Sequence, residues 1–260
     1  MSAELAGRTA VVTGASAGIG RAIAWELAQA GADVLLHTRS RREAAEQVAA
    51  LIRGHGRQST VLVADLADRN TLDPLLQSAW AWQNNVDIWV NNAGGDVLTG
   101  GAARWSFQEK LDYLWRVEVR ATTWLARSVG QRMLTAYQGG EPAVILNMGW
   151  DQAEQGMGGD AGELFATIKA AVSGFSRSLA QSLAPAVRVN CVAPGWIQTA
   201  WGQQASDAWQ QRARQESLLE RWGQPADVAR VARFLVSPAA GFVNGHTVPV
   251  NGGFRYGSST

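Results

Sequence analysis

Short apolar runs alternate along this chain with longer segments in which apolar positions recur every three or four residues. Runs of the first kind predict buried strands, and segments of the second kind predict amphipathic helices. The predicted strands cover residues 9–13, 34–38, 60–64, 86–91, 143–147, 187–192 and 247–250. The predicted helices cover residues 18–30, 41–53, 71–84, 109–137, 163–183 and 225–235. This alternation favours an α/β fold in which a doubly wound sheet of seven mostly parallel strands carries helices on both faces.

Two segments depart from the alternation, at residues 94–101 and 148–162, and both are predicted to be loops. Each follows the carboxyl end of a predicted strand, which is where open α/β sheets bind their ligands. The pattern contains no repeat and no linker, so we expect a single domain over residues 1–260.

A glycine-rich turn joins the first predicted strand to the first predicted helix. It reads Thr13-Gly14-Ala15-Ser16-Ala17-Gly18-Ile19-Gly20. Glycines at such a turn let the backbone approach a pyrophosphate and point the amides of the helix N-terminus at its charge. With the strand before it and the helix after it, the turn predicts a Rossmann-type dinucleotide site.

Composition narrows the class of protein. The 23 basic and 22 acidic residues give a net charge of +1, which offers no reason to expect nucleic acid or an anionic membrane as a partner. The single cysteine, Cys191, lies in an apolar run and is predicted to be a buried packing thiol. With neither a secretory signal nor a membrane span visible in the sequence, we expect a cytoplasmic protein, and we expect no metal site.

The glycine turn and several later motifs together resemble the short-chain dehydrogenase/reductase family over nearly the full chain. Besides residues 13–20, the matching pieces are Asp65-Leu66, Asn91-Asn92-Ala93-Gly94, Lys169, Pro194-Gly195-Trp196-Ile197-Gln198-Thr199 and Val250-Asn251-Gly252-Gly253. The resemblance implies an oxidoreductase with a nicotinamide cofactor that acts on a small-molecule substrate. The end of the chain resembles the part that forms tetramers in this family, so a homotetramer or homodimer is expected.

The resemblance assigns cofactor roles along the chain. Lys169 would bind the nicotinamide ribose, although single members of the set also have simpler roles, since Asp65 could cap a turn and Thr199 a short helix. The implied cofactor-binding residues are Gly14, Ser16, Ala17, Gly18, Ile19, Gly20, Thr38, Arg39, Ser40, Asp65, Leu66, Asn92, Ala93, Gly94, Lys169, Pro194, Gly195, Ile197 and Thr199.

The end of the second strand bears on the choice between NAD(H) and NADP(H). An enzyme for NAD(H) usually places a carboxylate there, which repels a 2′-phosphate. Here the sequence reads His37-Thr38-Arg39-Ser40-Arg41-Arg42, with no carboxylate before Glu43. Arg39 could pair with a phosphate beside two hydroxyl donors, so NADP(H) is predicted, although a solvated basic start to the helix would read the same.

The catalytic motif departs from the family pattern. In this family a tyrosine four residues before the lysine delivers a proton, a serine after the fifth strand orients the carbonyl, and an asparagine in the preceding helix holds a water. Here the tyrosine position is Phe165, the serine position falls at Gly149 or Trp150, and the asparagine position is Glu118. The ordinary carbonyl-reducing mechanism is therefore not predicted for this chain.

Carboxylates near these positions are the candidate replacements. Glu118 and Asp151 are predicted to be catalytic together with Lys169, because a buried carboxylic acid with a raised pKa can donate a proton. Relatives of the peroxisomal 2,4-dienoyl-CoA reductase type look similar, since they keep the lysine, lack the serine and tyrosine, and carry an acid at the asparagine position. The simpler interpretation is that these carboxylates are solvated.

Aromatic residues suggest how a substrate could be held. The chain contains 12 tryptophans, and those near the predicted cleft could stack on a flat or apolar substrate. The predicted substrate pocket comprises Asp96, Trp150, Phe165 and Trp196.

Two functions remain open from the sequence. The first is an atypical NADP(H)-dependent oxidoreductase that transfers hydride to a polarised C=C, C=N or activated carbonyl. The second is a pseudoenzyme that binds NADP(H) without turnover, as a sensor, scaffold or partner subunit.

Overall fold

The computed structural model describes residues 3–255, and within them seven strands form one sheet. The strand order is β3-β2-β1-β4-β5-β6-β7, and all six pairings are parallel. The strands are β1 Thr9–Val12, β2 Asp33–Thr38, β3 Ser59–Val63, β4 Ile88–Asn91, β5 Ala143–Met148, β6 Val187–Pro194 and β7 Thr247–Val250. This confirms the predicted doubly wound fold. The direction of winding reverses between β1 and β4, so the ligand-binding crevice is expected at their carboxyl ends.

Helices cover both faces of this sheet. They are α1 Gly18–Gln29, α2 Arg42–Gly54, α3 Leu72–Gln83, α4 Phe107–Leu114, α5 Ala121–Ala136, α6 Asp160–Leu183, α7 Ala200–Gln204, α8 Asp207–Glu216 and α9 Pro225–Val236. Side chains of α1, α2 and α9 pack with one face of the central strands, and side chains of α3, α5 and α6 pack with the other. Strands β1, β2, β4 and β6 are buried along their whole length, which is why apolar residues predominate in them on both faces.

The helix predicted over residues 109–137 is one helical rod with a break in its geometry. It starts at Phe107, where Ser106 and Glu109 form a capping box, and it ends at Ala136. Between α4 and α5, residues Trp115–Arg120 form a π-helical segment. The wider turn of a π-helix accommodates one extra residue, and such segments often lie at functional sites. Here the segment carries the buried Glu118.

Two short helices, α7 and α8, lie in a segment for which no helix was predicted. The segment has no apolar stripe at helical spacing, because its glutamines and charged residues are interrupted only by isolated tryptophans and alanines. In the structure these helices are held by packing between tryptophan rings, an interaction that periodicity does not reveal. The predicted loop over residues 148–162 contains a single 3-10 turn at Asp151–Ala153, and α6 begins three residues earlier than predicted.

Two further features of the chain follow from burial and helix length. Cys191 is fully buried in β6, as predicted, and burial raises the pKa of its thiol to about 11. Across residues 3–255, no helix is both long enough and apolar enough to cross a bilayer.

Candidate active site

The glycine turn after β1 is packed too closely to accept a side chain at its centre. A Cβ on Gly20 would lie 2.3 Å from the carbonyl oxygen of Gly14, and Gly14 itself has a φ of +66°. Helix α1 begins at Gly18, so its free backbone amides face the crevice. The turn thus forms a cradle that a phosphate group can approach, because backbone rather than side chains lines it.

A side-chain network joins this turn to the end of β4. The Thr13 hydroxyl accepts hydrogen bonds from the backbone amides of Asn92 and Ala93, at 2.9 and 3.0 Å. The Asn92 side-chain amide donates in return to the carbonyl oxygen of Thr13 at 2.9 Å. These bonds fix the two strand ends at the point where the winding reverses, so the crevice between them has a set width.

His37, for which the sequence predicted no role, supports the same turn from β2. Its Nδ1 accepts from the Gly14 amide at 3.3 Å, and its Nε2 lies 2.9 Å from the Ala64 carbonyl oxygen. Burial lowers the pKa of this imidazole, against a smaller opposing effect of the Ala64 contact. A neutral ring accepts at Nδ1 and donates at Nε2, so His37 serves as a fixed brace between β1, β2 and β3.

An open cavity lies beside this turn, along the carboxyl ends of the first four strands. Ten of the predicted cofactor-binding residues line it: Gly14, Ser16, Thr38, Arg39, Ser40, Asp65, Leu66, Asn92, Ala93 and Gly94. The cavity combines a cradle of backbone amides with a rim of hydroxyls and an arginine, which is the donor set that a phosphorylated dinucleotide requires. The residues present therefore fit the predicted cofactor.

Two acidic residues at this cavity are held in local turns. Asp65 accepts from the Ala67 amide at 2.9 Å, so it caps a turn as well as lining the cavity. Asp96 is exposed and accepts from the backbone amides of Leu98 and Thr99, both at 3.0 Å. The structure places Asp96, one of the predicted substrate-pocket residues, on the wall of the cofactor cavity.

A buried ion pair lies next to the cofactor cavity. Lys169 Nζ is 2.6 Å from Glu118 Oε2 and donates to the carbonyl oxygen of Met148 at 3.1 Å. Glu118 Oε1 accepts from the Gly95 amide at 2.9 Å. Oε1 thus accepts a hydrogen bond, whereas Oε2 contacts the ammonium as an ion pair without hydrogen-bond geometry. This arrangement suits a carboxylate that positions Lys169 and the turn at Gly94 and Gly95.

Two aromatic rings occupy the positions where the family pattern has hydroxyls. Phe165 lies one helical turn before Lys169, and its ring meets that of Trp150 edge-to-face with centroids 6.3 Å apart. Gly149 backs onto β6, where a Cβ would lie 2.8 Å from Cys191 Sγ. Trp150 is therefore the member of the Gly149-Trp150 pair that faces the same side as Phe165. The two described tyrosines are engaged elsewhere, since the Tyr113 hydroxyl bonds Arg39 and that of Tyr137 bonds Gly140.

Asp151 follows Trp150 directly in the chain. Its Oδ2 accepts from the side-chain amide of Asn251 at 3.0 Å, while its Oδ1 is buried without a hydrogen-bond partner. A Cβ on Gly195 would lie 2.9 Å from Oδ2, so the absent side chain at Gly195 leaves room for the carboxyl group. Burial raises the pKa of Asp151 to about 6, although the Asn251 hydrogen bond opposes the rise.

The motif after β6 reaches both parts of the site. Pro194 is buried at the end of β6, and the Gly195 amide donates to Val250 across β7. Thr199 lies close to the start of α1, where a Cβ on Gly18 would be 3.5 Å from its methyl group. Thr199 makes no side-chain cap to α7, so the simpler role considered from the sequence is absent. Ile197 is buried, and it leaves no room for a side chain at Gly223.

Trp196 belongs to an aromatic cluster made of Trp196, Trp201, Trp209 and Trp222. Its ring centroid lies 5.4 to 6.2 Å from those of the other three. Its indole N–H donates to Glu216 at 2.7 Å, and Glu216 also accepts from Arg212. Trp196 thus packs inside this cluster, which holds residues 196–222 together after the end of β6. It is not an isolated ring on a pocket wall.

A chain of buried amides connects the sheet to the helix that carries Lys169. Asn91 on β4 donates to Asn147 on β5, and Asn147 donates to Ser176 on α6, each at 2.8 Å. Such a satisfied network in a dry interior fixes the elements that it joins. It sets α6, and with it Lys169 and Phe165, against the ends of β4 and β5.

Tyr113 and Asn251 are site residues for which the sequence predicted no role. Asn251 lies in the closing motif, so its presence was noticed while its contact with Asp151 was not. Tyr113 lies in α4 and reaches the cofactor cavity by packing, with its ring against Gly95. Neither contact has a signal in sequence spacing, because each joins segments that are far apart in the chain.

Comparison with known proteins identifies the family of this chain. The family model described as enoyl-(acyl carrier protein) reductase matches residues 14–255. The 3-oxoacyl-[acyl-carrier-protein] reductase of Pseudomonas aeruginosa is 35% identical over 254 residues, which cover 96% of this chain and 98% of that protein.

Solved structures give the same result. A short-chain dehydrogenase from Burkholderia cenocepacia in complex with NADP has a TM-score of 0.85 and 30% identity, over 96% of this chain and 98% of that one. A 7α-hydroxysteroid dehydrogenase complexed with NADH and 7-oxo glycochenodeoxycholic acid has a TM-score of 0.86 and 31% identity, over 97% of this chain and 96% of that one. Both proteins bind a nicotinamide dinucleotide, one of them NADP and the other NADH.

Proposed function

Because this chain belongs to the short-chain dehydrogenase/reductase family of NAD(P)-dependent oxidoreductases, we propose that it uses NADP(H) and replaces the usual tyrosine acid with Asp151. The acceptor is a polarised C=C, C=N or activated carbonyl. The observation that carries the proposal is the pair of rings, Trp150 and Phe165, with the buried Asp151 carboxyl next to them in the chain.

The preference for NADP(H) rests on the rim of the cavity at the end of β2. Arg39 lines this rim with Thr38 and Ser40, and Glu43, the first carboxylate after β2, is already inside α2. A guanidinium pairs well with a phosphate, whereas a carboxylate in its place would repel one. The bound nicotinamide supplies or accepts the hydride, and the protein's residues hold the partners and move the proton.

Asp151 suits proton delivery better than Glu118 does. A general acid must hold a proton near the working pH, and burial gives Asp151 a pKa of about 6. Its Oδ1 is buried without a hydrogen-bond partner, so a proton on this oxygen would not compete with a donor. Glu118, by contrast, contacts Lys169 and the Gly95 amide with its two oxygens. We therefore assign proton delivery to Asp151 and the positioning of Lys169 to Glu118.

The walls of the site favour a flat substrate that does not need an oxyanion stabilised. Where the family pattern has two hydroxyls, this chain has the rings of Trp150 and Phe165. Aromatic faces attract planar rings and cations, and the nearby carboxyl of Asp151 adds negative charge as it ionises. A cyclic imine matches these features best, because Asp151 can give its nitrogen the one proton that reduction needs while its carbon accepts the hydride. A conjugated C=C needs a proton on carbon, which Asp151 can supply.

Activity of two matched variants tests this proposal. Turnover of NADPH is measured with a ketone, an enone and a cyclic imine, for the wild type, Asp151→Asn and Asp73→Asn. We expect Asp151→Asn to lower kcat by about 100-fold or more with the preferred acceptor, the usual contribution of a general acid. Asp73→Asn removes an exposed carboxylate in the first turn of α3, which does not line the cofactor cavity, so kcat is expected to stay within about twofold of the wild type.

The pH profile adds a second, independent measurement. An acid must be protonated to act, so kcat for reduction is expected to be highest below pH 6 and to fall as pH rises through the Asp151 pKa of about 6. Equal losses in both aspartate variants would overturn the assignment of the proton to Asp151. Tight NADPH binding without turnover of any acceptor would instead support the pseudoenzyme.

A further inference from the structure

Tyr113 projects from α4 onto the wall of the cofactor cavity, opposite the end of β2. Its ring packs edge-to-face on Trp105, with centroids 5.4 Å apart, and covers the backbone at Gly95. A Cβ on Gly95 would lie 2.7 Å from the Tyr113 ring. The ring can therefore occupy this place because residue 95 is glycine, and the packing on both sides holds it there.

The Tyr113 hydroxyl meets Arg39 across the mouth of the cavity. Arg39 Nη1 donates a hydrogen bond to the Tyr113 oxygen, which joins α4 to the end of β2. Within residues 3–255 Arg39 forms no ion pair, and its side chain is exposed. An exposed arginine without such a bond samples many rotamers, so the tyrosine limits where the guanidinium can be.

The bond leaves most donors of Arg39 free for a ligand. A guanidinium has five N–H donors, of which this contact uses one. A phosphate that enters between β2 and α4 therefore finds a cation already placed. It does not have to displace the tyrosine, because the charged contact with Arg39 can form beside it.

We propose that Tyr113 is a positioning residue for the 2′-phosphate of NADP(H), which acts by holding Arg39 over the cavity and so raises the selectivity for NADP(H) over NAD(H). This inference rests on the proposed use of NADP(H). It extends that proposal, since the discriminating group is then an arginine fixed by a second element rather than an arginine alone.

Binding of the two nucleotides to a set of four proteins tests the inference without any need for turnover. Dissociation constants for NADPH and NADH are measured by isothermal titration calorimetry. The proteins are the wild type, Tyr113→Phe, Arg39→Ala and the double variant. Because the phenylalanine keeps the ring on Trp105, the fold should be retained, and thermal unfolding checks this. Tyr137→Phe is the matched control, since Tyr137 lies just beyond the end of α5 and its hydroxyl bonds Gly140.

We expect Tyr113→Phe to weaken NADPH binding by about 3- to 10-fold, the cost of ordering one long side chain on binding, and to change NADH binding by less than about twofold. Arg39→Ala should weaken NADPH by about 30-fold, as expected for a charged hydrogen bond. In the Arg39→Ala background, Tyr113→Phe should have no further effect, because the tyrosine acts through the arginine. Tyr137→Phe should bind both nucleotides as the wild type does.

Several outcomes would overturn the inference. NADPH binding that is unchanged or tighter in Tyr113→Phe would mean that the tyrosine does not prepare Arg39. Equal weakening of NADPH and NADH would assign the hydroxyl to the shared part of the nucleotide. A wild type that binds NADH as tightly as NADPH would overturn the proposed cofactor preference itself, and that result is read from the wild type before any variant is compared.

Discussion

The two halves of the site are constrained in different ways. At the ends of β1 and β4, the positions of Gly14 and Gly20 are set by backbone contacts that exclude any side chain. At the ends of β5 and β6, the side chains of Trp150, Phe165 and Asp151 contact each other or other side chains, and the backbone beneath them keeps the regular parallel pairing. The cofactor half can change little without loss of shape, whereas the catalytic half can exchange its chemical groups and keep the fold.

The ion pair of Glu118 and Lys169 lies at the boundary between these halves. Glu118 holds the Gly95 amide on the cofactor side and the Lys169 ammonium on the catalytic side. The π-helical segment places Glu118 in the interior, where an unpaired carboxylate would be costly. The pair therefore links the turn at Gly95, beside the cofactor cavity, to α6 at Lys169.

The largest effect is expected from a side chain in the cofactor half. In Gly20→Val the new Cβ would lie 2.3 Å from the Gly14 carbonyl oxygen and 2.4 Å from Asn92 Nδ2, so the turn must open. We expect NADPH binding to weaken by at least about 100-fold, equivalent to about 3 kcal/mol. Titration of tryptophan fluorescence with NADPH measures this loss.

The matched control for the glycine turn is Gly54→Ala. Gly54 ends α2, and a Cβ there meets no atom within 4 Å. Binding by this variant should equal that of the wild type. If Gly20→Val bound NADPH within about threefold of the wild type, backbone contacts would not limit the cofactor half, and the contrast with the catalytic half would be wrong.

The next largest effect is expected at the boundary ion pair. Glu118→Gln removes the charge but keeps an oxygen for the Gly95 amide, and Lys169→Met removes the ammonium. Each single variant leaves one buried charge without its partner, so the free energy of unfolding should fall by about 3 kcal/mol. The double variant should lose clearly less than the two single losses added together. Urea denaturation of the four proteins measures this coupling, and simple additivity would contradict the pairing.

The sequence predicted the fold and the glycine turn after β1 because both rest on local signals. Apolar runs predicted all seven strands, and glycine spacing predicted the turn after β1. The sequence did not predict the contacts around Asp151, because Asp151 and Asn251 are 100 residues apart and are brought together only by the order of the strands. The same holds for Arg39 and Tyr113. The tryptophan cluster was not predicted because its rings are spaced irregularly along the chain. For the same reason no helix was predicted where α7 and α8 lie.

Substitution of Asp151, the proposed acid, should change the free energy of unfolding by less than the ion-pair variants do, and it should raise that free energy at pH 7.5. The pKa of Asp151 is raised to about 6 in the folded protein, whereas an aspartate in an unfolded chain titrates near about 3.9. The folded state thus binds this proton more tightly. The resulting stabilisation is complete below pH 4 and is lost as pH rises through 6. Asp151→Asn removes the cost of this charge. A difference of about two pKa units corresponds to about 3 kcal/mol, and the partial exposure of Asp151 reduces it, so at pH 7.5 the variant should be more stable than the wild type by about 2 kcal/mol.

Urea denaturation at pH 7.5 and at pH 4 separates this effect from the rest of the protein. His37, whose pKa burial lowers, makes the protein lose stability as pH falls below the ordinary histidine range, but it does so equally in the wild type and the variant. The difference between the two should therefore be about 2 kcal/mol at pH 7.5 and close to zero at pH 4. The same substitution should slow turnover, because a group kept for its chemistry lowers stability at working pH. A variant less stable than the wild type at pH 7.5 would show that the hydrogen bond from Asn251 to Asp151 stabilises the fold by more than the charge of Asp151 destabilises it.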